Sequence, residues 1–79
     1  MKLFTYSLSK NIKLKLERGI GFEIALKAIR NGGYKVARIK SKNHPGQLCY
    51  IIRYNKEYWI APFKEFKNNY HLYTMFRRD

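Results

Sequence analysis

The chain has 79 residues, 46% of them hydrophobic and 28% charged, with a formal net charge of +12 and a pI of about 10.1. That length fits one domain over residues 1–79 with a thin core, and that hydrophobic content argues against a disordered tail. No apolar run approaches the ~20 residues of a membrane-spanning helix, Lys2, Lys10, Lys13 and Lys15 interrupt anything resembling a signal peptide, and the lone Cys49 offers neither a disulfide framework nor a metal-type spacing.

In chain order, Lys2–Tyr6 reads as a short strand, with Leu3, Phe4 and Tyr6 apolar. Ser7 or Ser9 can then cap a helix by accepting from an orphan backbone N–H. Leu8, Ile12 and Leu16 recur every four residues, with Lys10, Lys13 and Glu17 elsewhere on the cylinder, which predicts an amphipathic helix. Gly19 suits the positive φ just past its end. In the second predicted helix Phe22, Ala25, Leu26 and Ile29 form one stripe at i, i+3, i+4 and i+7. Glu23 and Arg30 match its dipole, and Asn31-Gly32-Gly33 ends it.

The period then changes. Tyr34–Lys40 alternates and is β-branched, so it predicts a strand. Ser41–Gly46 is a loop with a Pro45-Gly46 turn signal. Gln47–Tyr54 is the most continuous β-run and predicts a central strand. Asn55-Lys56 is a two-residue turn, and Glu57–Phe63 is the partner strand, with Pro62 forcing an edge or bulge. A basic loop, Lys64–Asn69, leads to a last strand, Tyr70–Phe76, and then to Arg77-Arg78-Asp79. The order β-α-α-β-β-β-β predicts an α+β domain, with two helices packed on one face of an antiparallel sheet and the opposite face free.

Charge points to partners. Seventeen Lys and Arg face five acids, Glu17, Glu23, Glu57, Glu65 and Asp79. Such a field favours a polyanion, most commonly nucleic acid. An acidic protein partner is the other occupant to expect, and the location expected by default is the cytoplasm.

Five segments resemble a known family in order and spacing: ERGIGFE at Glu17–Glu23, IRNGG at Ile29–Gly33, HPGQ at His44–Gln47, YWIAPF at Tyr58–Phe63 and LYTMF at Leu72–Phe76. Together they resemble the BrnT-like toxins of the RelE superfamily, from bacterial type II toxin–antitoxin modules. The resemblance covers nearly the whole chain and rests on the collinear set rather than on one motif. It implies a RelE-like fold, metal-independent endoribonuclease activity without a cofactor, RNA as substrate on or off the ribosome, inhibited translation, and a cognate antitoxin. The family's last strand runs on into a Pro-Ser-Arg-Lys-like segment, where this chain has Arg77-Arg78-Asp79. A non-catalytic RNA- or DNA-binding module on the same scaffold is the alternative, and a subunit that binds an acidic protein is a third.

RNA cleavage without a metal uses the 2′-OH as nucleophile. It needs proton transfer, worth about 10²–10⁴-fold, and cations aimed at the developing phosphorane charge. Period-2 arithmetic on the last predicted strand puts His71, Tyr73, Met75 and Arg77 on one face, and Tyr70, Leu72, Thr74 and Phe76 on the other. The second set is the more apolar and is expected under the helices, so His71, Tyr73 and Arg77 become candidate catalytic residues on the free face. His44, in the Pro-Gly loop, is a fourth, because an ordinary histidine titrates near neutral pH. Arg53, Lys64, Lys67, Arg78 and Arg18 are candidate phosphate contacts. Tyr50, Tyr54 and Trp59 can stack bases, with a core position the stronger expectation for Trp59.

Overall fold

The computed structural model describes residues 3–39 and 46–78. Strand β1 (Leu3–Tyr6) leads into α1 (Leu8–Arg18), whose Ser7 cap accepts from the Lys10 amide at 3.3 Å. Gly19, at φ 70°, closes α1 by donating to the Lys15 carbonyl. Helix α2 (Phe22–Arg30) follows at once. Strands β2 (Tyr34–Ile39), β3 (Gln47–Tyr54), β4 (Glu57–Glu65) and β5 (Asn69–Leu72) then form an antiparallel meander, and a short β6 (Phe76–Arg77) returns to β4. Asn55 and Lys56 both take positive φ, as a two-residue hairpin turn matched to strand twist requires.

The sheet is mixed rather than antiparallel throughout. Its order is β1-β5-β4-β3-β2, and β1 pairs with β5 in parallel. The meander reverses direction three times between β2 and β5. The helical hairpin sends the chain to the far edge before the meander returns it beside its own start, in the starting direction.

Helix α2 and one sheet face enclose the core as expected. Phe22 and Ala25 are fully buried against Tyr50, Ile52, Trp59, Ala61, Phe63 and Leu72. Tyr50 stacks on Phe63 with ring centroids 4.2 Å apart. Helix α1 behaves differently. An amphipathic helix ordinarily turns its apolar stripe to the core, yet Leu8, Ile12 and Leu16 are 73%, 61% and 82% exposed. The buried residues of α1 are Asn11 and Leu14. Leu14 supplies the apolar anchor, and polar groups with assigned partners do the rest: Asn11 bonds to the start of α2, and the Arg18 guanidinium donates to the Met75 carbonyl.

The end of the chain also departs from expectation. Strand β4 runs on to Glu65, so the predicted basic loop shrinks to a tight turn in which the Phe66 amide donates to the Asn69 carbonyl at 2.7 Å. The predicted strand Tyr70–Phe76 breaks after Leu72. Leu72 registers with Phe63, and Phe76 with Ile60. Three residues, Tyr73–Met75, therefore stand opposite two, Ala61 and Pro62, which makes a bulge. Its cause is local. Pro62 has no N–H to give the ladder, and its carbonyl accepts from Tyr73 at 3.1 Å. The extra residue reverses the alternation beyond it, so Met75 is fully buried and Phe76 is exposed. The face predicted for His71, Tyr73, Met75 and Arg77 thus does not hold as a set. Among the described residues no helix is long and apolar enough to cross a membrane.

Candidate functional site

The sheet face away from the core carries Thr5 on β1, His71 on β5 and Lys64 on β4. Thr5 and His71 are register partners, as are His71 and Lys64, so the three side chains stand in a row across neighbouring strands. His71 is half-buried, whereas Lys64 is exposed. Asn69 Nδ2 donates to Thr5 Oγ1 at 2.8 Å, and Thr5 Oγ1 lies 2.8 Å from His71 Nδ1. The Thr5 hydroxyl accepts from Asn69 and can donate to Nδ1 of a neutral imidazole, or accept from Nδ1 when that nitrogen carries the hydrogen; the first arrangement is the one that leaves a hydrogen on Nε2. In that tautomer the neutral imidazole carries its hydrogen on Nε2 and presents a donor. The Tyr73 ring meets the His71 ring edge-on at 5.3 Å and 74°, and Tyr73, the first residue of the bulge, is exposed.

Beside this row lies a groove of about 1000 Å³, lined in part by Arg38, Gln47, Lys64, Tyr73, Thr74 and Phe76. Gln47 is fixed across it by donating to the Phe63 carbonyl. Arg38 donates to the Gly46 carbonyl at 3.0 Å. The Lys64 ammonium sits 5.5 Å from the centre of the Phe66 ring, a cation–π contact that keeps it at the edge of the row. Imidazole N–H, phenol and ammonium are together a set able to hold a phosphodiester and to donate a proton.

Other predicted residues fall elsewhere. Arg77 is not beside His71 and Tyr73. It registers with Trp59, whereas His71 registers with Lys64, positions about 16 Å apart along β4 at ~3.3 Å per residue. The Arg77 guanidinium is instead paired with Glu57 at 3.0 Å. Six residues of extended chain separate Arg77 from His71 in any register, and the bulge adds the change of face. Arg18 straps α1 to the bulge through Met75 rather than facing the site. Arg53 lies near the β3–β4 turn, with its guanidinium 5.8 Å from the Tyr58 ring. Arg78 is tied through its backbone N–H to the Tyr58 carbonyl at 2.8 Å. Lys67 is exposed in the β4–β5 turn, close in sequence to Lys64. His44 lies outside the described residues.

The aromatic candidates divide. Trp59 and Tyr50 are core residues at 8% and 5% exposure, so only Tyr54 remains open to a base. Burial, reinforced by Tyr70, Tyr34 and Glu65, pushes the Tyr50 phenol up to about 12. Burial likewise raises Cys49, against a hydrogen bond with the Ala37 backbone and the nearby Arg78 charge. Of the acids, Glu17, Glu23 and Glu57 pair with Lys13, Lys15 and Arg77 respectively, which leaves a large excess of basic groups on the surface.

Thr5 and Asn69 did not stand out in the sequence. Thr5 is separated from His71 by 66 positions, and only the parallel β1–β5 register joins them. Compared with models of protein families, with curated proteins and with solved structures, the chain matches none.

Proposed function

We propose that this chain is a metal-independent endoribonuclease with a RelE-like fold, the toxin of a bacterial type II toxin–antitoxin module, acting in the cytoplasm and held inactive by a cognate antitoxin. The observation that carries the reading is the row of Thr5, His71 and Lys64 with Tyr73 against the imidazole, set beside a groove on a domain of net charge +12. In the proposed step the 2′-oxygen attacks phosphorus as its proton passes to solvent. The P–O5′ bond breaks, and the 5′-oxygen takes the Nε2 proton of His71 in its imidazolium form, which is left as neutral imidazole and is re-protonated from solvent. A 2′,3′-cyclic phosphate and a 5′-hydroxyl result. Lys64 offsets the phosphorane charge, and Tyr73 holds a phosphate oxygen. Lys67 and Arg38 extend the phosphate track.

The deciding experiment is induction of the chain alone in bacteria, with RNA isolated and the purified protein assayed in EDTA. Growth arrest with cleaved RNA is expected, and His71→Ala should abolish both. Normal growth with intact RNA would refute the enzyme reading. The pairing of Arg77 with Glu57, away from His71, favours a second reading, a basic RNA- or DNA-binding module without cleavage. Retained RNA affinity in the absence of any cleavage would select it.

A further inference from the structure

Among the described residues, the outer face of α1 is left exposed. At about 100° per residue, Leu8, Ile12 and Leu16 form one ridge opposite the buried Leu14. All three are more than half exposed. Lys15, ion-paired with Glu23 at 2.7 Å, borders the ridge on one side and Lys13 on the other, within a domain of net charge +12. The helix sequence LSKNIKLKLER holds four cations against one acid, Glu17, which Lys13 already engages. An aliphatic ridge two turns long, framed by lysines, fits one kind of complement: a second helix with its own apolar ridge and acidic flanks.

We infer that the outer face of α1 is a docking surface for an acidic amphipathic helix of a partner protein. The inference goes beyond the nuclease reading and stands whether or not the chain cleaves RNA. Charge complementarity selects the occupant. A second copy would bring another +12 against the same lysines, whereas an acidic helix relieves that repulsion while covering the leucines. The surface is also separable from the core, because Asn11, Leu14 and Arg18 hold α1 down from its other side.

The test uses the whole protein and a labelled 21-residue helical peptide with leucines at i, i+3, i+4 and i+7 spacing and glutamates elsewhere. The controls are a leucine-free glutamate peptide of equal charge and vesicles containing phosphatidylglycerol. Binding of the leucine peptide at least tenfold tighter than the leucine-free control is expected. Backbone NMR shifts should be confined to the α1 amides, and Leu8→Gln/Ile12→Gln/Leu16→Gln should weaken binding at least tenfold. Leu16→Gln alone should weaken it severalfold, and serves if the triple variant loses helical content. RNA degradation by a folded variant should be unchanged, which keeps failure here distinct from failure of the nuclease reading. Equal binding of the two peptides, or shifts centred on β5, would overturn the inference. So would a dimer in sedimentation that the triple variant abolishes, or vesicle binding tighter than peptide binding.

Discussion

Asn11→Ala is expected to be the most damaging polar substitution in the molecule. Helix α2 starts at Gly21, which has no side chain to cap it. Asn11 supplies the cap from α1: its Oδ1 accepts from the Phe22 amide at 2.6 Å, and its Nδ2 donates to Glu23 Oε2 at 3.0 Å. Phe22 is fully buried and Asn11 is 5% exposed. Truncation therefore leaves a donor that water does not reach, at a cost of about 1–3 kcal/mol. The lost bond to Glu23 adds about 0.5 kcal/mol, kept small because that carboxylate is half exposed. A total of about 2–3 kcal/mol should lower the melting temperature by roughly 10–20 °C in a domain of this size. Circular dichroism melts of the wild type and the variant measure it directly. Asn11→Asp is the informative companion. It keeps the acceptor for Phe22 but sets a second carboxylate against Glu23, so it should be unstable at neutral pH and partly recover below about pH 4. A loss under about 0.5 kcal/mol for Asn11→Ala would refute the cross-helix cap.

Lys15, foremost, then Glu23's own backbone and Asn11, hold the Glu23 carboxyl down at about 2, against an ordinary 4.5. Its folded value is depressed, so the stability it contributes is present above about pH 4.5 and is lost as pH falls towards 2. Exposure limits this to about 1 kcal/mol or less. Urea midpoints at pH 5 and pH 2.5 should converge in Lys15→Met relative to wild type. For activity, His71→Ala should reduce RNA cleavage by about 10²-fold or more and Tyr73→Phe by about tenfold. Arg77→Ala should change it by less than about threefold, because its Coulombic partner is Glu57 at the far end of β4. Initial rates on a labelled RNA decide this, and a dead Arg77→Ala that still folds would return the arginine to the site. Thr5→Val should release the Nδ1 contact, so ¹⁵N shifts of the His71 ring at high pH should move from an Nε2–H pattern to a tautomer mixture; an unchanged pattern would sink the Thr5 assignment. RNA affinity should fall with salt at a log–log slope of about −0.7 per phosphate neutralised on single strands, as measured by anisotropy titrations.

The pattern in the sequence spoke reliably where burial was apolar on one side. Phe22, Ala25, Leu26 and Ile29 marked both α2 and its buried face. The β2–β4 meander, with its turn at Asn55-Lys56, followed from alternation and turn chemistry. Periodicity found α1 but could not tell its inner side from its outer one, because Asn11 and Arg18 are buried or strapped by particular partners rather than by hydrophobicity. The candidate site was half visible. His71 and Tyr73 were legible as a polar pair on a strand face. Arg77 was misplaced because a single residue inserted opposite Pro62 inverts every side chain after it. The parallel placement of β1, and with it Thr5, depends on long-range pairing that no local pattern encodes.

That placement of β1 ties two measurable quantities together. Four residues at the sheet's edge, paired with β5, carry the hydroxyl that lies in hydrogen-bond contact with His71 Nδ1. Edge strands open locally more readily than central ones. Each time β1 frays, His71 loses its Nδ1 partner, and each closure restores it. Amide exchange in Phe4 to Tyr6 and the tautomer ratio of one distant ring should therefore report a single equilibrium. Strand β1 would then act as a latch on the chemistry proposed for His71.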